Sequence, residues 1–103
     1  LAVTSAQPSA LAPGLPTVAA SGVPGYEAIG MTGMFAPAKT APAVINRLTQ
    51  EILRTLSQPE VKERFLASGV EPVGGSAEQF AAAVRSDVDK LGKLIRDAGI
   101  KSE

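Results

Sequence analysis

The stretch SAEQFAAAVRSDVDKLGKLIRDAG, residues 76–99, decides how the rest of the chain is read. Phe80, Val84, Val88, Leu91, Ile95 and Ala98 recur every three or four residues, so a helix places them all on one stripe. Ser76 and Gln79 precede that stripe at the spacing of a capping box, in which each side chain satisfies one orphan backbone N–H of the first turn. Gly99 supplies the residue type that ends a helix in the left-handed conformation. Arg85, Asp89, Lys93 and Asp97 form a ladder of alternating charge on another face. Burying the five large apolar side chains contributes on the order of 10 kcal/mol gross, at ~1.5–3 kcal/mol each. Conformational entropy offsets most of that, so the stripe requires a partner surface.

Two further helices are predicted just upstream. Thr40 is a candidate N-cap, with Pro42 inside the first turn. Ile45, Leu48, Ile52 and Leu56 then make one apolar stripe, and Arg47 and Glu51 pair at i and i+4. After Ser57-Gln58, Pro59 opens the next helix, Val61 and Phe65 face inward, and Gly69 closes it. Glu60 and Arg64 form a second pair at i and i+4. Val70 to Val73 is a candidate short strand before Gly74-Gly75 breaks the chain.

The N-terminal third reads differently. Leu1 to Ser5 is apolar and β-branched and fits a short buried strand. From Ala6 to Gly25, four prolines (Pro8, Pro13, Pro16, Pro24) exclude a long helix. One helical turn fits between Pro16 and Gly22, and Val23-Pro24-Gly25 reads as a tight turn. Tyr26 to Ala36 is the second strand candidate, weakened by Gly30 and Gly33 and ended by Pro37. Two strands followed by three helices give an α/β class. Two strands make a poor sheet alone, and the start at Leu1 lacks a basic and apolar leader. Both features fit a fragment or a processed product.

Composition narrows the function. The chain has 103 residues, 45% of them apolar, and 10 basic residues balanced by 10 acidic ones. Without a basic stripe to neutralise phosphates, and with only 4% aromatic residues for base stacking, nucleic acid is not the expected partner. The sequence contains neither Cys nor His. That removes thiol nucleophiles, the usual general base and the commonest metal ligands, so no metal, no cofactor and no enzymatic activity are expected. Asp87 and Asp89 face different directions on a helix, and Glu60 and Glu63 lie among cations, which is the pattern of a solvated surface. Gly74-Gly75-Ser76 offers backbone N–H groups to an anion, but an ordinary loop and N-cap explain it without a ligand. Met31 and Met34 suit a pocket lining or, more simply, core filling.

The order of short segments carries a resemblance. Leu1-Ala2-Val3-Thr4-Ser5 is followed by Leu15-Pro16-Thr17-Val18-Ala19, Gly22-Val23-Pro24-Gly25-Tyr26-Glu27 and Gly33-Met34-Phe35-Ala36-Pro37-Ala38. Then come Val44-Ile45-Asn46-Arg47-Leu48, Pro59-Glu60-Val61-Lys62-Glu63-Arg64, the run from Gly69 to Gly74, Phe80, and Ala98-Gly99-Ile100-Lys101. This series resembles the Bug-type (TctC-like) substrate-binding proteins of tripartite tricarboxylate transporters, whose pattern runs LAVTS, PTVAE, GxPGYE, WxGLFAPAGTP, VVxRLN, PEVRERL, GxEPVG and AGIK. The chain departs from it at Ala20, where Glu is typical, at Met31, where Trp is common, at Lys39 for Gly, and at Ala41-Pro42, where proline usually comes first.

The resemblance implies the C-terminal portion of a two-lobed, periplasmic-binding-protein-like α/β fold. Residues 1–36 would supply lobe-crossing strands and their Pro/Gly-rich connection, and residues 37–103 the C-terminal helical segment. It implies an extracytoplasmic, periplasmic receptor that passes small carboxylates to membrane transporter subunits, with hinge closure on the ligand. The loops that grip the carboxylate would lie upstream of Leu1. Thr4, Ser5, Met31 and Thr32, at strand ends near the hinge, are the residues here placed to approach the cleft; the alternative reading makes all four structural. The competing function is a self-associating interaction module, possible as a homodimer, because an absent lobe would leave an apolar patch exposed.

Overall fold

Helices form where the apolar spacing asks for them. The computed structural model describes residues 1–102 and contains α1 (Pro42–Leu56), α2 (Pro59–Ala67) and α3 (Ala77–Asp97).

At the start of α1, the Ala41 carbonyl accepts from Val44 N at 2.9 Å and Ile45 N at 3.2 Å. Thr40 is not the cap. Its hydroxyl turns back and donates to Pro37 O at 2.7 Å, and its N–H donates to the same oxygen at 3.2 Å. The Pro37–Thr40 turn this closes puts Lys39 at φ +70°, the left-handed region that side chains with a Cβ disfavour. Arg47 and Glu51 meet at 3.0 Å on the exposed side of α1.

The ends of α2 and α3 share one design. In α2, Pro59 stands in the first turn, where its missing N–H costs nothing. At its far end Gly69 N donates to Leu66 O and Val70 N to Phe65 O, with Gly69 at φ +76°. At the end of α3, Gly99 N donates to Arg96 O and Ile100 N to Ile95 O, with Gly99 at φ +65°. Both are Schellman closures, which satisfy carbonyls that the helix itself leaves unpaired. Along α3, Lys93 pairs with Asp97.

The α/β expectation is corrected: no strand ladder forms among the described residues. One isolated parallel bridge joins Val3 and Thr17, through Val3 N to Pro16 O at 2.8 Å and Val18 N to Val3 O at 2.9 Å. A ladder would need that pattern repeated in both directions. Pro16 has no N–H to extend it. Beyond Thr17 the chain curls into a helical turn, with Ser21 N on Thr17 O at 3.1 Å and Ala20 N on Thr17 Oγ1 at 3.0 Å. Beyond Val3, the Ser5 hydroxyl donates to Gln7 O at 2.7 Å and bends the chain away. The second expected strand, Tyr26 to Ala36, has no ladder partner. Its backbone meets the N-terminal segment through Ala28 N on Thr4 O at 2.9 Å, and Gly30 and Gly33 weaken further pairing. Just before it, Tyr26 N closes on Val23 O around Pro24 and Gly25, the latter at φ +79°, as a type II turn requires. The segment Val70 to Val73 is also without strand structure.

The chain forms two compact units. One combines Leu1–Phe35 with Arg54–Val73; the other combines Ala36–Leu53 with the residues from Gly74 onward. In the first, Thr17 is buried to 5% exposure, under its own hydrogen-bonded turn. In the second, Phe80 and Val84 on α3 are half-buried, whereas Val88 is 65%, Leu94 57% and Ile95 46% exposed. Among the described residues no apolar side chain is buried. The apolar stripe of α3 therefore lacks the strand cover expected for it over its C-terminal half. No helix among the described residues is long and apolar enough to cross a membrane.

Candidate functional site

The sequence places an acid next to a proline in Glu71-Pro72, two residues after the Gly69 that ends α2. In the first unit that acid reaches the Pro/Gly-rich segment. Glu71 Oε1 accepts from Ser9 Oγ at 2.5 Å and from Ala10 N at 2.8 Å, while Leu11 N donates to Ser9 Oγ at 3.1 Å. The Ser9 hydroxyl holds the Glu71 carboxyl below its ordinary value, desolvation opposes this, and the Ala10 and Leu11 N–H groups reinforce the lowering. Hydrogen bonds to the ionised form produce that direction.

Two shallow depressions lie within the units. In the second unit, Asn46, Thr49 and Gln50 of α1 face Ser76, Ala77 and Glu78 at the start of α3, around a volume of about 230 Å³. Its polar lining does not suit an anion. Ser76 Oγ accepts from Gln79 N at 3.1 Å and Ser76 N donates to Gln79 Oε1 at 2.9 Å, so the capping box occupies two donors an anion would use. Glu78 adds a like charge at the same helix start. In the first unit, Val61, Arg64 and Phe65 of α2, with Ser68 just past its end, line a depression of about 310 Å³. The Ser68 hydroxyl donates to Arg64 O at 3.0 Å, leaving the Arg64 guanidinium as the group there suited to a carboxylate.

The four residues expected near a cleft all fall in the first unit. Thr4 is exposed, and its carbonyl accepts from Ala28 N. Ser5 is half-buried and spends its hydroxyl on Gln7 O. Met31 is 39% exposed and Thr32 is exposed. The Ala28–Thr4 bond brings the chain leading to Met31 beside Thr4. Neither depression is lined by any of the four. Among the described residues no group of three or more His, Cys, Asp or Glu side chains is arranged to hold a metal.

Sequence reasoning did not find the Glu71–Ser9 contact. Its partners stand 62 positions apart, and neither flank carries a periodic signal.

Comparison with known proteins gives the class of this helical segment. Residues 1–100 match the tripartite tricarboxylate transporter family receptor. A protein of Pseudomonas knackmussii described as "UPF0065 protein in clcB-clcD intergenic region" is 31% identical over 96 residues, covering 92% of this chain and 57% of its own length. A protein of Pseudomonas sp. described as "UPF0065 protein in tcbD-tcbE intergenic region" is 36% identical over 62 residues, covering 60% of this chain and 18% of its own length. No solved structure matches the chain. The chain belongs to the tripartite tricarboxylate transporter receptor family, and it spans little more than half the length of the first of these relatives.

Proposed function

We propose that this chain is the C-terminal part of an extracytoplasmic receptor that binds small carboxylates and delivers them to the membrane subunits of a tripartite transporter. The family match over residues 1–100 carries this reading. In a receptor of that kind, residues 1–36 belong to the connection between lobes and residues 37–103 to the C-terminal helical segment. Thr4, Ser5, Met31 and Thr32 border the cleft, and backbone N–H groups from the remainder of the polypeptide hold the carboxylate. The ligand favours the closed state and shifts the population toward it. Binding and release complete the cycle, so no covalent chemistry is required of these residues. The test is titration calorimetry on a polypeptide of the relatives' full length against a panel of di- and tricarboxylates. Saturable heat with at least one of them is expected there, and little or none with the 103-residue chain. Absence of heat across the panel for the longer polypeptide overturns the reading.

A second reading rests on the exposed apolar residues of α3, Val88, Leu94 and Ile95. Such a surface drives association when nothing covers it, and in the isolated chain a second copy is the available cover. Sedimentation that stays monomeric across a wide concentration range would end this reading.

A further inference from the structure

Glu71 makes contacts that no part of the receptor reading uses. Its carboxylate is the acceptor for a turn drawn from the far end of the sequence: Ser9 Oγ at 2.5 Å and Ala10 N at 2.8 Å. Among the described residues the other hydrogen bonds of the turn are local: Leu11 N on Ser9 Oγ at 3.1 Å, Ala12 N on Ser9 O at 3.2 Å and Leu15 N on Ala12 O at 3.3 Å. Pro8 and Pro13 on either side have no N–H to add to a backbone network. Closing a loop of more than sixty residues costs entropy that local bonds do not recover. Among the described residues, the Glu71 carboxylate is the hydrogen-bonding group that ties this turn to the segment following α2.

We propose that Glu71 is an acid-released clasp: while ionised it holds the Ser9–Leu11 turn against the segment that follows α2, and protonation releases that turn while the helices stay formed. A carboxylate accepts two charge-assisted bonds at one oxygen, which are stronger than neutral ones. Once protonated it becomes a neutral and poorer acceptor, and the hydroxyl and N–H donors turn to water. The groups that set its titration are the Ser9 hydroxyl and the Ala10 and Leu11 N–H groups, with partial desolvation. No charged side chain is among them, so the response belongs to this carboxyl. Because the folded chain holds the carboxyl below its ordinary value of 4.5, the clasp is fully closed above that value. It is lost as pH falls through the lower folded value. Α2 and α3 do not depend on it, since their caps are made by uncharged groups.

Amide hydrogen exchange, expressed as protection relative to the intrinsic rate at each pH, tests this in the 103-residue chain. Ala10 and Leu11 should lose on the order of tenfold in protection between neutral and strongly acidic pH, while Phe80 and Val84 of α3 keep theirs. Glu71→Gln should show weakened protection at Ala10 and Leu11 that no longer changes with pH. Ser9→Ala, which removes one donor and leaves the carboxylate, should keep a smaller pH response. Equal protection of Ala10 and Leu11 at both pH values overturns the clasp. So does loss of α3 protection in step with theirs, or a Glu71→Gln chain that still responds to pH like the parent.

Discussion

Ser76 and Gln79 bond to each other twice: Gln79 N donates to Ser76 Oγ at 3.1 Å, and Ser76 N donates to Gln79 Oε1 at 2.9 Å. The pair closes the first turn of a 21-residue helix that buries no apolar side chain among the described residues. With little tertiary packing to stabilise it, α3 depends more than usual on its ends. Ser76→Ala should therefore cost about 1 kcal/mol of helix stability, seen as a lower midpoint in a circular-dichroism melt. Gln79→Ala, which keeps the bond to Ser76 Oγ, should cost less.

Gly75 and Gly99 flank the same helix, both at positive φ, +116° and +65°, but they should respond differently to a methyl group. A Cβ on Gly99 meets nothing within 4 Å, so Gly99→Ala bears only the left-handed backbone penalty of about 1–2 kcal/mol. A Cβ on Gly75 would lie 2.8 Å from Gln79 Oε1, the acceptor that completes the capping box. Gly75→Ala should lose that bond as well as straining the backbone, and its melt should fall further. Equal midpoints for the two variants would contradict the geometry.

Lys39 is the one non-glycine residue at positive φ, +70°, among the described residues, and it stands where the family's APAGTP pattern has Gly. Removing the Cβ relieves strain in the Pro37–Thr40 turn, partly offset by the greater freedom of glycine in the unfolded chain. Lys39→Gly should stabilise the start of α1 by about 0.5–1 kcal/mol. Amide exchange at Val44 and Ile45, the first donors of α1, would report it as slower exchange.

The bare half of α3 gives a prediction about association. Leu94 is 57% exposed, and its part in the helix end is a backbone one, its carbonyl accepting from Ala98 N at 2.9 Å, which a side-chain change leaves in place. Leu94→Glu should keep helix content and weaken self-association of the isolated chain on the order of tenfold, measured by sedimentation equilibrium. Unchanged association would show that copies meet elsewhere.

The helices were legible because their signals are local. The capping-box spacing of Ser76 and Gln79, Pro59 in a first turn, and Gly69 and Gly99 after the last turn each act within a few residues. Strands could not be read with the same security. Leu1 to Ser5 has strand composition, but a strand exists only when neighbours complete its ladder, and Pro16 and the Thr17 turn stop the pairing after one bridge. Thr40 has the right residue type for a cap, yet a nearer acceptor, Pro37 O, takes its hydroxyl. The Glu71 clasp joins positions with no shared periodicity, so only the fold reveals it. Thr4, Ser5, Met31 and Thr32 follow from family resemblance and not from any spacing or periodicity of their own; the Ser5 hydroxyl donates to Gln7 O and the Thr4 carbonyl accepts from Ala28 N.

The receptor reading is tested most directly by the melting temperature of a polypeptide of the relatives' full length, with and without each of a panel of small carboxylates and their neutral amide analogues. Ligand that binds only the folded state raises the midpoint in proportion to its saturation. The account predicts a rise with at least one carboxylate and none with its amide. Midpoints that stay level for every carboxylate, or that rise equally for the amides, would contradict it.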